Sequence, residues 1–268
     1  MKVLSAYDTD IGQSKEVNQD GLCIMEARTN LGLFIMAVLC DGMGGYSSGE
    51  VASTTVIRVF SDWFQNELPL LLNDNFSLDR VRDQWRKIVE VYSKETVEYG
   101  LKLQPSIKLG TTLTGILITE QYGAEIIHVG DSRLYQIDNN TMEQMTRDHT
   151  KIAYLVSQNK LQLTEEEIEH HPERHILSDC IGGSRVTCNP DSYRLDLDSY
   201  KYGAAFLICS DGFRHEVSRP EMFSTFYMGG LSDERVMKEK IRQSVVFLLV
   251  IAGCGGLLFD FGGTIIGP

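Results

Sequence analysis

Four times this chain sets an aspartate against a glycine at the end of a strand-like apolar run. Residues 33–40 are continuously apolar, stop at Asp41-Gly42, and open into Gly44 and Gly45. Residues 204–209 stop at Ser210-Asp211-Gly212, and residues 126–129 at Gly130-Asp131-Ser132. A fourth acidic turn, Asn18-Gln19-Asp20-Gly21, precedes the run 22–25. Hard divalent cations take oxygen ligands, chiefly carboxylates, carbonyls and water. Carboxylates gathered without a cation repel one another at neutral pH. The recurrence therefore points to a multi-metal carboxylate site. The glycines at 42, 44 and 45 let backbone carbonyls approach a bound ion.

The elements that must position these residues can be read from periodicity. The unbroken run at 33–40 suits a strand covered on both faces. From Glu50 onward apolar residues fall at helical spacing, so the unit is strand, acidic glycine turn, helix. Helical stretches are predicted over 50–72 and 78–103, separated by the breaker segment 73–77. The second carries Val81, Trp85, Ile88, Val89, Tyr92, Val97 and Leu101 on one face, read as core. Strands are predicted at 2–7, 111–119, 124–129, 134–137 and 141–145, with turns at 121–123 and Asn139-Asn140. Hairpin-linked strands beside two long helices do not fit a doubly wound parallel sheet; they predict a two-sheet β core flanked by helices. Residues 150–183 read as polar and helical, and Glu165–Glu169 lead into His170, His171 and His175. Adjacent histidines point to different sides of a helix and Pro172 ends it, so the stretch reads as a solvated loop rather than a metal site.

Composition narrows the class. The 268 residues allow one large domain, or two small ones, with a substantial core. A 43% hydrophobic and 23% charged content is that of a soluble globular protein. The net charge of −12 and a pI near 5.0, with no basic stripe, argue against nucleic acid as a partner. The six cysteines form no Cys-x-x-Cys pair and several lie in apolar runs, as small buried hydrophobes do in a reducing compartment. No signal-peptide core follows Met1, so a cytoplasmic body is expected.

Six motifs occur in order: G-Q-S-K-E-V-N-Q-D-G (12–21), D-G-M-G-G (41–45), L-G-T-T (109–112), H-V-G-D-S-R-L-Y (128–135), T-R-D-H-T (146–150) and C-S-D-G-F (209–213). Together they resemble the metal-dependent protein phosphatases of type 2C in their bacterial form, over residues 2–217. The resemblance implies an α+β fold: an antiparallel two-sheet β-sandwich with helices on both outer faces, in four αββα layers. It implies hydrolysis of phosphoserine and phosphothreonine in proteins by water activated between two manganese or magnesium ions. Carried over, Asp41 bridges both ions, the Gly42 carbonyl binds one, Asp211 binds the other, and Asp20 acts through bound water. Asp131 with Asp211 forms a third, weaker site. Lys15 stands where the family usually has a phosphate-holding arginine, and lysine lacks the bidentate fork. The position after Asp-Gly, a histidine proton donor in eukaryotic members, is Met43, so bound water protonates the leaving group. Residues 150–183 correspond to a flap beside the site. The expected partners are phosphorylated proteins and a Hanks-type serine/threonine kinase that the enzyme opposes.

The tail departs from the pattern. After a charged helix predicted over 232–242, residues 245–259 carry no charge. Family members end with Asp-Asn, which supplies a metal ligand, and a last strand; here the only acid is Asp260. The chain divides into a catalytic domain, 1–244, and a hydrophobic tail, 245–268. Three readings fit the tail. It is a membrane anchor flanked by Lys238, Lys240 and Arg242, although its fifteen uncharged residues fall short of the about 20 that span a bilayer; or a core strand delivering Asp260 as a ligand; or an aberrant terminus. A chain lacking the last ligand would be a non-catalytic phosphoprotein-binding module, or a membrane-tethered regulator.

Overall fold

The computed structural model describes residues 2–9, 17–44, 48–103, 105–137, 141–184, 186–197, 204–226 and 247–253. In chain order the described elements are β1 (Lys2–Asp8), β2 (Asp20–Thr29), β3 (Gly32–Met43), α1 (Ser48–Asp62), α2 (Leu68–Asn73), α3 (Leu78–Lys102), β4 (Gly110–Thr111), β5 (Leu113–Thr119), β6 (Gly123–Val129), β7 (Arg133–Ile137), β8 (Met142–Gln144), α4 (Lys151–Ser157), α5 (Glu165–Glu169), β9 (Ile181–Gly182), β10 (Asp191–Leu195), β11 (Ala204–Cys209), α6 (Asp211–Glu216), α7 (Arg219–Phe226) and β12 (Phe247–Gly253). The strands form two antiparallel sheets, one ordered β1-β12-β11-β7-β8 and the other β10-β6-β5-β3-β4-β9, with β2 also on β3. The fold is an α+β sandwich.

The unbroken apolar run is explained by what lies on its two sides. Leu33, Ile35, Ala37 and Leu39 face Leu134, Phe206 and Ile208 of the first sheet, filling the space between the sheets. The alternate residues Phe34, Met36, Val38 and Cys40 face the other way, against Val56, Phe60, Val81 and Trp85 of α1 and α3. Successive strand side chains point to opposite faces, so a strand buried on both has no polar alternation. Trp85 anchors the helical layer, with Phe60 and Trp63 edge-on at 5.4 and 5.3 Å. Between α1 and α2, Trp63–Glu67 forms one wide π turn that buries Trp63 and Phe64 together.

The apolar face expected for α3 holds only for its first half. Val81, Trp85 and Val89 are buried, but Leu101 is 67% exposed and Tyr92 and Val97 are partly so. The buried line continues instead through Ser93, Thr96 and Gly100. Small residues are required there because β9 comes in close: Ser93 Oγ accepts from the Gly182 amide at 3.2 Å. A Cβ on Gly100 would stand 2.4 Å from the Ile107 carbonyl oxygen.

The described part of the tail, β12, lies between β1 and β11, pairing antiparallel with both. Asp260 lies outside the described residues, as do Lys15, Gly45, Cys254 and the helix expected over 232–242. No described helix is long and apolar enough to cross a membrane.

Candidate active site

The strand ends deliver the predicted acids to one edge of the sandwich. β3 runs past Cys40 and keeps Asp41 and Gly42 inside the ladder, so their backbone is fixed by pairing on both sides. Antiparallel register sets Asp20 directly opposite Asp41. The Asp41 amide donates to Thr112 Oγ1 at 2.9 Å, and its carbonyl accepts from the Thr112 amide at 2.9 Å and Thr111 Oγ1 at 3.0 Å. The paired threonines of L-G-T-T thus clamp the peptide that carries the central carboxylate, a role their sequence motif did not disclose.

Gly42 is required for a close approach. Its amide donates to the Gln19 carbonyl at 3.1 Å, and a Cβ there would meet the Gly49 and Gln19 carbonyl oxygens at 2.3 and 2.5 Å. Ser53 Oγ also donates to the Gln19 carbonyl, at 2.6 Å, which ties α1 to the turn before β2. Across the edge, Ser210 Oγ donates to Asp20 Oδ2 at 3.3 Å, bridging the two sheets.

A cavity of about 530 Å³ opens at this edge, lined by Asp41, Asp131 and Asp211 together with Met43, Lys108 and His175. Of the acids named by the sequence, three therefore share one cavity, and Asp20 stands on the strand beside it. Asp131 is 7% exposed, and burial, followed by the nearby charge of Asp211, pushes its carboxyl up to about 7. That is the electrostatic condition a bound cation relieves, because the cation offsets both desolvation and like-charge repulsion. With carboxylate oxygens as the donors that line the cavity, the residues fit hard divalent ions.

The cavity wall is held by charges from several elements. The Arg214 side chain, 6% exposed, donates to the Asp131 carbonyl at 3.0 Å and lies 4.0 Å from its carboxylate. Arg133 makes a bidentate pair with Asp148 at 2.8 and 2.7 Å. Glu169, on α5, reaches both arginines, at 2.6 Å from Arg133 and 3.6 Å from Arg214. Arg214 did not stand out in the sequence, since a lone charged residue carries no local signature, and the acidic run Glu165–Glu169 gave no sign that its last residue pairs with two arginines. Residues 151–183 contain the two short helices α4 and α5 rather than one helical stretch, and Thr164 and Glu167 form a capping box that starts the second.

Residues 11–245 match the family model described as protein phosphatase 2C. The chain belongs to that family, whose members are metal-dependent. It is 27% identical over 238 residues to the serine/threonine phosphatase stp of Listeria monocytogenes, covering 87% of this chain and 85% of the relative. It is 29% identical over 215 residues to protein phosphatase PhpP of Streptococcus pneumoniae, covering 80% of each. Among solved structures, serine/threonine phosphatase Stp1 from Staphylococcus aureus superposes with a TM-score of 0.76 at 26% identity, covering 96% of both chains. The Mycobacterium tuberculosis serine/threonine phosphatase PstP/Ppp gives 0.67 at 25% identity, covering 94% of this chain and 98% of that one.

Proposed function

We infer that this chain is a protein serine/threonine phosphatase, and that its substrates are phosphorylated proteins. The observation that carries the reading is the convergence of Asp41, Asp131 and Asp211 on one cavity, in a chain whose family is metal-dependent. When bound there, manganese or magnesium ions supply an acidified water and neutralise phosphoryl oxygens. Asp41 would hold two ions, with the Gly42 carbonyl, next along the clamped peptide, as a further oxygen donor. Asp211 would hold a second ion, Asp20 would act through ion-bound water, and Asp131 with Asp211 would offer a third, weaker position. Lys15 draws in the phosphate as a point charge. Met43 borders the cavity and offers no proton, so the leaving oxygen takes its proton from solvent held within the cavity.

The tail is the closing strand of the catalytic domain rather than an appendage, a reading supported by the pairing of β12 on both edges. Asp260, seven residues past β12, is the remaining candidate ligand. The physiological opponent is a Hanks-type serine/threonine kinase acting on the same proteins in the cytoplasm.

The test is hydrolysis of a phosphothreonine peptide and a chromogenic aryl phosphate across a manganese titration. Turnover that rises with manganese and is lost on chelation is expected. A protein that binds manganese and phosphopeptide without turnover would overturn the reading.

A further inference from the structure

Among the described residues, one group of histidines and carboxylates is close enough to hold a metal ion in a different way. His175, Asp211 and His215 each place a ligand atom within 4.8 Å of the other two. Asp211 and His215 are separated by four residues on α6, which stacks their side chains on one face of that turn. His175 comes from the segment between α5 and β9, and its ring meets the His215 ring edge-on at 5.3 Å. Both imidazoles are exposed.

Two imidazoles and one carboxylate are not the donor set of a magnesium or manganese site. They are a borderline set that suits zinc, with three protein ligands and one open position. Donor atoms around a tetrahedral zinc stand about 3.4 Å apart, from bonds of about 2.1 Å. The present group, spread over as much as 4.8 Å, must therefore contract by up to about 1.4 Å, within reach of imidazole rotation at exposed side chains. One contact has to yield: Arg174 Nε donates to His215 Nε2 at 3.5 Å, the limit of a hydrogen bond.

We propose that His175, Asp211 and His215 form a zinc site that ties the segment between α5 and β9 to α6. The site goes beyond the oxygen-ligand centre, although it shares Asp211 with it. Leu177 and Ser178, just past His175, line the cavity, so an ion held at this point draws that wall toward Asp211. Zinc is accordingly expected to narrow the entrance and to compete for the carboxylate that a catalytic ion needs. That second consequence rests on the phosphatase reading; zinc binding does not.

The experiment is calorimetric titration of zinc into the full-length protein kept in saturating magnesium. Cobalt(II) absorption serves as a second readout. One zinc per chain is expected, with affinity falling at least tenfold in both His175→Gln and His215→Gln and unchanged in His170→Gln, whose ring pairs elsewhere on α5. Cobalt should give the visible bands of a four- or five-coordinate imidazole site in the wild type and lose them in His215→Gln. Equal zinc isotherms in the wild type and both variants would overturn the proposal, as would a cobalt spectrum indifferent to His215. A protein without phosphatase activity that still binds zinc through these histidines would sink the catalytic reading and leave this one standing.

Discussion

The two walls of the cavity are built by opposite means. The floor comes from strand ends, where Asp41 sits in a ladder hydrogen-bonded on both sides and backed by buried apolar residues. The facing wall, residues 151–183, has short helices, few buried side chains and mostly polar contacts. Its hold on the body includes Glu169 reaching Arg133 and Arg214, and Thr150 bridging Leu177. Backbone pairing on a buried apolar strand fixes the peptide that carries the carboxylate. Charged contacts at the rim, with Glu169 37% exposed, are weakened by water and leave room for movement. The molecule thus keeps its reacting groups rigid and its entrance adjustable, which suits an enzyme that must admit a protein chain.

The comparison breaks first at the sheet. Deleting residues 245–268 removes β12 from between β1 and β11 and leaves β1 without its described partner. Loss of cooperative folding is expected, read by circular dichroism and solubility. A soluble, cooperatively melting truncation would show that the tail is dispensable to the sandwich.

Asp41→Asn should keep the fold and remove activity by about a hundredfold or more at saturating manganese, since the loss is of charge at the reacting centre. Asp211→Asn should behave alike. Retained turnover in the Asp41 variant would rule out a bridging role.

A pH effect separates core from rim further. His128 is fully buried, its Nε2 donating to the Arg147 carbonyl at 3.1 Å, and burial lowers its pKa from 6.5 to about 4. Between those values the unfolded chain binds the proton that the folded protein refuses, so stability is complete above pH 6.5 and falls as pH drops toward 4. Urea unfolding midpoints measured from pH 7.5 to 4.5 should show the fall, and His128→Asn should flatten its share of it. An identical slope in that variant would assign the effect to other groups.

The smallest change is expected at the rim. Glu169→Ala should cost no more than about 1 kcal/mol of stability, because the pair is partly exposed. It should nonetheless speed proteolysis within 151–183 and raise KM for a phosphopeptide more than it lowers kcat. Unaltered proteolysis would mean that α5 is held by something other than this carboxylate.

Much of the floor was legible from residues alone, for a physical reason. A strand buried on both faces must be continuously apolar, and a carboxylate at its end announces itself by interrupting the run. The helices at 50–72 and 78–103 were equally visible, with one wide π turn as the only local surprise. Of the described cysteines, Cys40, Cys188 and Cys209 are buried as expected, and burial raises their pKa; Cys23 and Cys180 are half-buried. The second half of α3 misled, because close approach of β9 favours Ser93, Thr96 and Gly100 over the larger side chains that periodicity favours.

What residue order alone determined is therefore the set of acids and the strands that carry them, since both follow from contacts between near neighbours. Tertiary structure alone decided which acids meet. The bond from Ser210 to Asp20 spans 190 residues, and the placing of Asp20 across from Asp41 depends on strand register. The raised pKa of Asp131 comes from burial and from Asp211, neither of which local sequence encodes. His175 and His215 look like loop and helix-end residues until the fold sets them against Asp211. Side-chain chemistry is written residue by residue, but electrostatic coupling depends on distance in space, and only packing sets that distance.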